Sequence, residues 1–584
     1  MSDINGGPGD GNPTTPPPSD PYAQWQPPGG QPVVGQPAID QPVVGATEYL
    51  THPEDATVLP PGAPVIRKSR RTRVIAATVA LALLVGGGVA VAKALAGDGA
   101  QPDDALPADV VASIRIDGDP PAGQKLAVAR FAMNFEDSGV TSSDDPIGQL
   151  LEKLFSSSPG VSYAEDIKPW IDKRIAIAAR IDPAHRDDLS KAYPLVVVAY
   201  KDEAALRQHL DKVVKAASSS GKPAGYAIAD GFVTFSDTTE HAQASVNDAK
   251  TAPLSQSAAY KSALDTVGAD SVVFGWIAYG RLHDALVAQL DKNGSGLGQT
   301  NLGGGSATSL LSGLGTGKVD ADASVSVAMR AGSNYVETVV DAYKLDASST
   351  APTPPLGDDL TKLSAGNAVV VGVAGQDQGL MQALERLDKL LAEQGSTASA
   401  SSFGPTDDPP FTVDGLLDKV GLTRTTLRLI LGSRLVGSLD GSLGGALAVT
   451  TADGSGAVDT LTSVLHHVES LTNGKFNATS ALRGLHLQTT VDGYAMGTTA
   501  SAVDKLANPV PPYLGDDSVF KLALPDASRA TFAMYANVDN LDSDLRNQFS
   551  SGPNSANLKP LQAVGFSASQ DGQHTLVRLR VVVR

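Results

Sequence analysis

An uncharged apolar stretch, Val74–Ala92, constrains the fold of this chain more than any other feature of its sequence. At about 1.5 Å of rise per residue, a helix of this length crosses the roughly 30 Å hydrocarbon core of a bilayer. We therefore predict a single transmembrane helix here, with Val74, Leu81, Leu84 and Val91 as anchor residues.

The charges that flank this stretch are asymmetric. Residue 93 is the one base on its C-terminal side before a run of aspartates, whereas five bases precede the stretch: Arg67, Lys68, Arg70, Arg71 and Arg73. The positive-inside rule then places residues 1–66 in the cytoplasm and the large C-terminal part outside the cell membrane. A cleaved export signal is the alternative, since Ala94-Leu95-Ala96 resembles a cleavage site, although a signal peptide has a much shorter charged region before its apolar core.

The first 66 residues are too rich in proline and glycine to form a packed core. They hold 15 prolines and 9 glycines, and the pentapeptide QPVVG occurs twice. We predict a disordered cytoplasmic tail. Thr47 and Thr57 lie in its two short apolar islands and are candidate phosphorylation sites, while a plain spacer is the alternative.

The composition excludes several classes of function. The chain has no cysteine, which rules out disulfides, thiolate metal sites and cysteine catalysis. The formal net charge is −18, and nearly all of it falls in the C-terminal part. Nucleic acid is therefore not expected as a partner, and neither are anionic lipid headgroups.

Regular structure is predicted from residue 110 onwards. Val110–Asp117, Ile175–Ile181 and Pro194–Tyr200 have the pattern of strands, and a helix capped by Asp202 follows the third. Asp230-Gly231 predicts a tight hairpin turn. Further helices, a strand at Ser271–Ala278, and two long strands within residues 321–345 complete this unit.

The same order of elements recurs after the Pro/Ser/Thr segment Ser348–Pro355. Asn367–Ala374 corresponds to the first strand, a second hairpin is predicted at Asp492-Gly493, and residues 565–583 correspond to the closing strand pair. We interpret this as a tandem duplication of an α+β unit, an antiparallel sheet covered on one face by helices. The predicted domains are 1–66, 67–96, 97–347 and 356–584. Either the two repeats fold independently, or they complete one another's sheets through the closing strands.

The opening of the folded part carries a family resemblance. Leu106-Pro107-Ala108-Asp109 leads into the strand VVASIRID, and Asp119-Pro120 and then Pro121-Ala122-Gly123-Gln124-Lys125 follow. With the proline-rich tail and the membrane helix, this resembles an uncharacterised family of membrane-anchored proteins of high-GC Gram-positive bacteria (actinobacteria), defined by a domain of unknown function. The resemblance extends over residues 104–584, and it implies a location and an architecture but no activity. The second repeat lacks the opening motif.

Motifs that would indicate an enzyme are incomplete. Ser312–Lys318 lacks the first glycine and the final hydroxyl of a phosphate-binding loop. Ser219-Ser220-Gly221-Lys222 has the spacing of a penicillin-binding nucleophile but lacks its partner motifs. His466-His467 point about 100° apart on a helix, and the paired aspartates at 144–145, 358–359 and 407–408 lie in turns. We predict no catalytic residue, no metal ligand and no cofactor.

These observations favour a single-pass, non-enzymatic interaction or structural protein of the cell envelope. The first alternative is an extracytoplasmic binder of a lipid or another apolar ligand, in which the two repeats enclose a groove. The second alternative is an envelope enzyme with an unrecognised site. A connected apolar tunnel of more than about 300 Å³ would favour the binder, and two solid cores would favour the interaction protein. The oligomeric state stays open.

Overall fold

The computed structural model describes residues 101–117, 123–124, 127, 130–131, 161–219, 225–268, 270–292, 319–345, 353–385, 388, 412–442, 444–472, 477–550 and 559–584. The predicted tail, the basic flank and the apolar stretch Val74–Ala92 lie outside these ranges. Within them, no helix is both long enough and apolar enough to cross a membrane.

The strands form one antiparallel sheet. In chain order they are β1 Ala112–Asp117, β2 Ile171–Ile181, β3 Ala192–Tyr200, β4 Gly225–Ala229, β5 Phe232–Ser236, β6 Val273–Ile277, β7 Ser324–Ala331, β8 Tyr335–Tyr343, β9 Val369–Ala374, β10 Arg434–Leu439, β11 Gly445–Thr450, β12 His486–Thr490, β13 Gly493–Gly497, β14 Phe532–Asn537, β15 Leu561–Asp571 and β16 His574–Val583. Their spatial order is β12-β13-β11-β10-β9-β14-β15-β16-β8-β7-β6-β1-β2-β3-β5-β4. The predicted α+β class with an antiparallel sheet is confirmed.

The sheet consists of two halves that have the same strand order from the outer edge to the centre. β1 to β8 make up the first half and β9 to β16 the second, and each half has the same internal arrangement. The halves meet where β8 pairs with β16, with Val339 opposite Arg578. Each half keeps its own closing hairpin, β7–β8 or β15–β16, so the sheets are joined edge to edge without exchange of strands.

Helices cover this sheet on both faces. The α-helices are α1 Glu203–Ser219, α2 Thr239–Thr251, α3 Ala258–Val267, α4 Tyr279–Lys292, α5 Val413–Lys419, α6 Arg424–Leu431, α7 Gly454–Leu471, α8 Ala478–Gly484, α9 Ala500–Ala507, α10 Ser518–Ala523 and α11 Ser543–Ser550. We call the face that bears Val197 and Tyr535 the front face, and the opposite face the back face. α3 and α10 pack on the front face, whereas α1 packs on the back face.

The prediction that helices cover one face was therefore wrong: α1 covers the back face of the first half, and Leu429 of α6 and Val458 of α7 pack on the back face of the second. Val197 and Val198 are neighbours on β3, and both are buried, in clusters on opposite faces. The cause is the continuous apolar run of β3, which needs apolar contacts on each side rather than on alternate residues alone.

Local signals mark the first hairpin and helix as expected. Asp230 and Gly231 have φ angles of 51° and 86°, the left-handed values that a two-residue hairpin turn requires. Asp202 caps α1, since its Oδ1 accepts a hydrogen bond of 3.0 Å from the backbone N–H of Ala205. In the second hairpin Thr490 pairs with Gly493, so the turn lies at residues 491–492, one residue before the predicted position.

The closing strands also contribute to the cores of the opposite halves. Leu576 of β16 packs against the front-face core of the first half, and Tyr335 of β8 packs against that of the second half. Val583 lies in a back-face cluster of the first half. The contact between the halves is therefore made of core side chains as well as backbone hydrogen bonds.

Candidate ligand-binding groove

An apolar groove of about 340 Å³ crosses the back face of the second half and is open to solvent along one side. It extends over four adjacent strands, β9, β10, β11 and β13. Its lining consists of Val369, Val371, Gly437, Ser438, Leu439, Gly445, Ala446, Leu447, Leu485, Met496, Gly497 and Thr498. The groove lies within one half, and not between the two halves as the sequence suggested for a ligand binder.

The register of the strands identifies which first-half residues occupy the same positions. Ile114 pairs with Ile177 in the first half, as Val371 pairs with Gly437 in the second. The pairs Ala112–Ala179 and Val369–Leu439 correspond in the same way. The sheet backbone is thus the same in both halves, and the side chains differ.

At these positions the side chains of the first half are buried on the back face of the sheet, whereas those of the second half leave that face accessible to solvent. Ile114 is only 4% exposed, in a cluster with Phe131. Ala179 is also 4% exposed and packs beneath Ala285 of α4. Leu439, which corresponds to Ala179, is 36% exposed. At these register positions the back face is therefore a packed core in the first half and an accessible apolar surface in the second, whereas α6 and α7 bury the neighbouring part around Val449 and Tyr494.

Among the described residues that line the groove, none has a charged side chain. Thr498, a polar member, is engaged with the backbone: its Oγ1 accepts a hydrogen bond of 3.1 Å from the N–H of Gly445. Such a lining offers van der Waals contact and removal of apolar surface from water, and it gives no partner for an ionised group.

A compact charged loop borders the groove just beyond Leu439. The Oδ1 atom of Asp440 accepts hydrogen bonds from the N–H and hydroxyl of Ser442 and from the N–H of Gly444. Burial opposes ionisation of Asp440, but these bonds outweigh it and hold the pKa of its carboxyl below the usual value. Lys505 lies 3.9 Å from the same carboxylate.

Buried ionic clusters exist elsewhere, and each is internally paired. Arg115 and Asp103 form a buried ion pair of 3.2 Å on the front face beside Tyr260. Burial, together with the charge of Asp103, raises the pKa of Tyr260 well above its usual value. Across the described residues, no group of three or more histidine, aspartate or glutamate side chains could hold a metal ion.

The structure tests few of the residues that the sequence singled out. The anchor residues, the basic flank, Thr47 and Thr57 all lie outside the described ranges, as do Ser312–Lys318 and the aspartates at 144–145 and 407–408. Ser219 ends α1, and the rest of its motif is not described.

The remaining candidates have ordinary structural partners. Nδ1 of His466 is 3.5 Å from a carboxylate oxygen of Glu469, and Nε2 of His467 is 3.3 Å from the carbonyl oxygen of Lys419. Asp358 and Asp359 form ion pairs with Lys362 and Arg434 at 3.3 and 3.0 Å. These contacts bring none of the four residues into a common site.

The sequence reasoning missed β10 and, with it, the floor of the groove. The segment RLVGSL is short and contains Gly437, which weakens a strand signal. The available signal was the repeat itself. The equivalent strand of the first half, β2, is easily predicted from IAIAARI, which contains no glycine, and a strand is then expected at the same place in the second half.

A family model described as a protein of unknown function (DUF3352) matches residues 74–310. The match begins at the predicted transmembrane stretch and ends before β7, so it includes β1 to β6 but not the groove. No curated protein and no solved structure matches the chain.

Proposed function

We propose that this chain is a membrane-anchored, non-enzymatic binding protein that holds the hydrocarbon chain of a lipid in the back-face groove of its second half. One observation carries the proposal: an apolar groove of about 340 Å³ lies where the equivalent surface of the first half is a packed core. A volume of this size is at the lower end of the range for small-molecule sites.

The dimensions favour one hydrocarbon chain as the occupant. Since a water molecule takes up roughly 30 Å³ and a methylene group is of similar size, the groove holds about ten chain carbons. Burial of each methylene contributes about 0.8 kcal/mol, so a chain of this length gains several kcal/mol without any ionic contact. The described lining residues carry no charge, which suits the chain of a lipid and not its headgroup.

The location that we propose rests on the sequence. The bases at 67–73 before Val74–Ala92 support a cytoplasmic N-terminus and an extracytoplasmic sheet. A binding protein anchored in this way stands next to the lipid from which its ligand would come.

We also infer that the two halves arose by tandem duplication. The support is the matching order of eight strands in each half and the matching registers of β1–β2 and β9–β10. A duplicated sheet explains how one copy keeps a closed face while the other copy presents a groove on the same framework.

A second candidate, an interaction protein of the envelope, is favoured by the apolar side chain of Met534. This residue lies on the back face of β14 and is 39% exposed, but it does not line the groove. Methionine adapts its shape to a contact and is frequent at surfaces that bind several partners.

The test of the proposed function is Leu439→Asp, with Met534→Asp as the matched control. The two side chains have similar exposure on the same face, and only Leu439 lines the groove. We expect Leu439→Asp to weaken binding of the fluorescent fatty acid cis-parinaric acid at least about tenfold, since it places a carboxylate against the chain. The full chain in an amphipathic polymer is titrated by fluorescence.

Met534→Asp should bind the probe as the unsubstituted chain does. Equal loss in both variants, or no binding by the unsubstituted chain, would overturn the proposal. Capture of a protein partner that Met534→Asp abolishes and Leu439→Asp spares would instead support the interaction protein.

A further inference from the structure

The outermost strand of the second half, β12, has one edge that no other described strand pairs with. The N–H of Thr451 donates to the carbonyl oxygen of Asp492, so the backbone of Asp492 faces β11. Because this alternates along the strand, Gly493 and every second residue after it bond to β12, through the even-numbered residues of β12. The backbone groups of Leu487 and Thr489 therefore point away from the sheet, and no other described residue bonds to them.

The two outer edges of the sheet differ in how well they are covered. β4, at the edge of the first half, has no exposed residue and is packed between α1 and α2. In β12, by contrast, His486, Gln488 and Thr489 are exposed. An open edge is normally protected against pairing by a charged residue, a proline or a bulge. The sequence HLQTT contains no acid, lysine, arginine or proline, and the pairing of β12 with β13 has no bulge.

We propose that β12 pairs antiparallel with β12 of a second copy of this chain, so that the sheets of the two copies become continuous. The outward backbone groups set the register: Leu487 of each copy exchanges two hydrogen bonds with Thr489 of the other copy. Gln488 then lies opposite Gln488 across a twofold axis, in a non-hydrogen-bonded pair, where side chains come closest. The two halves of one chain are joined by the same kind of pairing, between the antiparallel edge strands β8 and β16.

The residues at the ends of β12 fit this register. Val491 in the hairpin turn is fully exposed, and the register places it opposite Leu485 of the other copy. Leu485 lines the groove, so each copy adds an apolar side chain beside one end of its partner's groove. Arg483 and Asp492 are exposed, and the register brings Arg483 of each copy towards Asp492 of the other. This self-complementarity of apolar and charged groups favours a second copy over an unrelated strand.

The test of this pairing places like charges at the twofold axis. Gln488 is exposed, so Gln488→Lys has little effect on a single copy but sets two ammonium groups against each other in the pair. Sedimentation velocity of the full chain in an amphipathic polymer measures the dissociation constant. We expect the unsubstituted chain to form dimers at micromolar concentrations, and the dissociation constant of Gln488→Lys to be at least about tenfold higher.

A second variant and a matched control complete the experiment. Gln488→Glu alone should weaken the dimer as Gln488→Lys does. An equimolar mixture of Gln488→Lys and Gln488→Glu should form dimers again, because opposite charges then face each other, and this recovery also shows that both variants are folded. Gln208→Lys makes the same change of charge on an exposed position of α1 and should leave the dissociation constant unchanged.

Three outcomes would overturn the inference. One is an unsubstituted chain that stays monomeric. Another is a dimer that Gln488→Lys leaves intact, since such a dimer is formed by another part of the chain. The third is a mixture of the two variants that stays monomeric. None of these measurements involves binding of a fatty acid, so the inference and the proposed function stand or fall separately.

Discussion

At the scale of single residues, the aspartate of the opening motif pairs with a buried arginine. Arg180 is 2% exposed, and its Nε and Nη2 donate hydrogen bonds of 2.7 and 2.9 Å to the two oxygens of Asp109. Nη2 also donates to Asp248 at 2.6 Å. Burial opposes the charge of the guanidinium, but the bonds to both aspartates prevail and raise the pKa of Arg180.

We expect Asp109→Asn to lower the free energy of unfolding by about 1–3 kcal/mol, because it weakens a bidentate pair that holds the opening segment on β2. Urea unfolding of the full chain measures the change. Asp248→Asn serves as the control, since Asp248 is the more exposed partner and makes a single contact. A larger loss for Asp248→Asn than for Asp109→Asn would contradict this assignment.

At the scale of elements, the pairing of β8 with β16 decides whether the halves act as one unit. Glu337 of β8 is fully buried and accepts hydrogen bonds from Arg330 of its own half and from Arg580 of β16 at 2.6 Å. Nε of Arg578 is 2.9 Å from the same carboxylate. A buried acid thus joins bases from both halves at the seam.

Glu337→Gln should therefore destabilise both halves together, by about 3 kcal/mol, since it removes the one buried carboxylate that the partly buried Arg330, Arg578 and Arg580 share. Fluorescence of Trp170 and Trp276 reports on the first half, and hydrogen exchange in β10 and β11 reports on the second. Glu203→Gln, which removes an exposed pair with Arg207, should change neither signal.

A shift confined to the tryptophan signal would mean that the halves unfold separately. In that case the expectation of two independent domains would hold, and fragments 97–347 and 356–584 would each show a cooperative transition. The structure favours a single transition, because core side chains of each half belong to closing strands of the other.

At the scale of the whole molecule, the proposed location depends on charges outside the described residues. Five bases before Val74–Ala92 predict that the C-terminus at Arg584 is outside the membrane. A reporter that folds only outside the cytoplasm, fused after Arg584, should therefore be active. Moving the five bases to the far side of the stretch should reverse the result.

The same fusion carrying a strictly cytoplasmic reporter is the complement and should be inactive. Activity of the cytoplasmic reporter in the unsubstituted chain would overturn the topology, and with it the proposed source of the ligand. The proposal that the groove holds a hydrocarbon chain would still be tested by the binding experiment with Leu439→Asp.

The sequence by itself determined many of the strands, though not β10, and also the first hairpin and the repetition of elements. These follow from local physics: alternating or continuous apolar residues favour strands, Asp230-Gly231 accepts left-handed φ angles, and Asp202 caps a helix. Each signal lies within a few neighbouring residues, so that reading the chain in order is sufficient.

Tertiary structure alone decided how the halves join and where the groove lies. Pairing of β8 with β16 brings together Val339 and Arg578, and the groove combines residues from 369 to 498. No local pattern specifies such contacts, because the free energy of a packed face depends on which side chains meet across strands. Gly437 looks like a weak point in a short strand until Val371 and Leu447 are seen on either side of it.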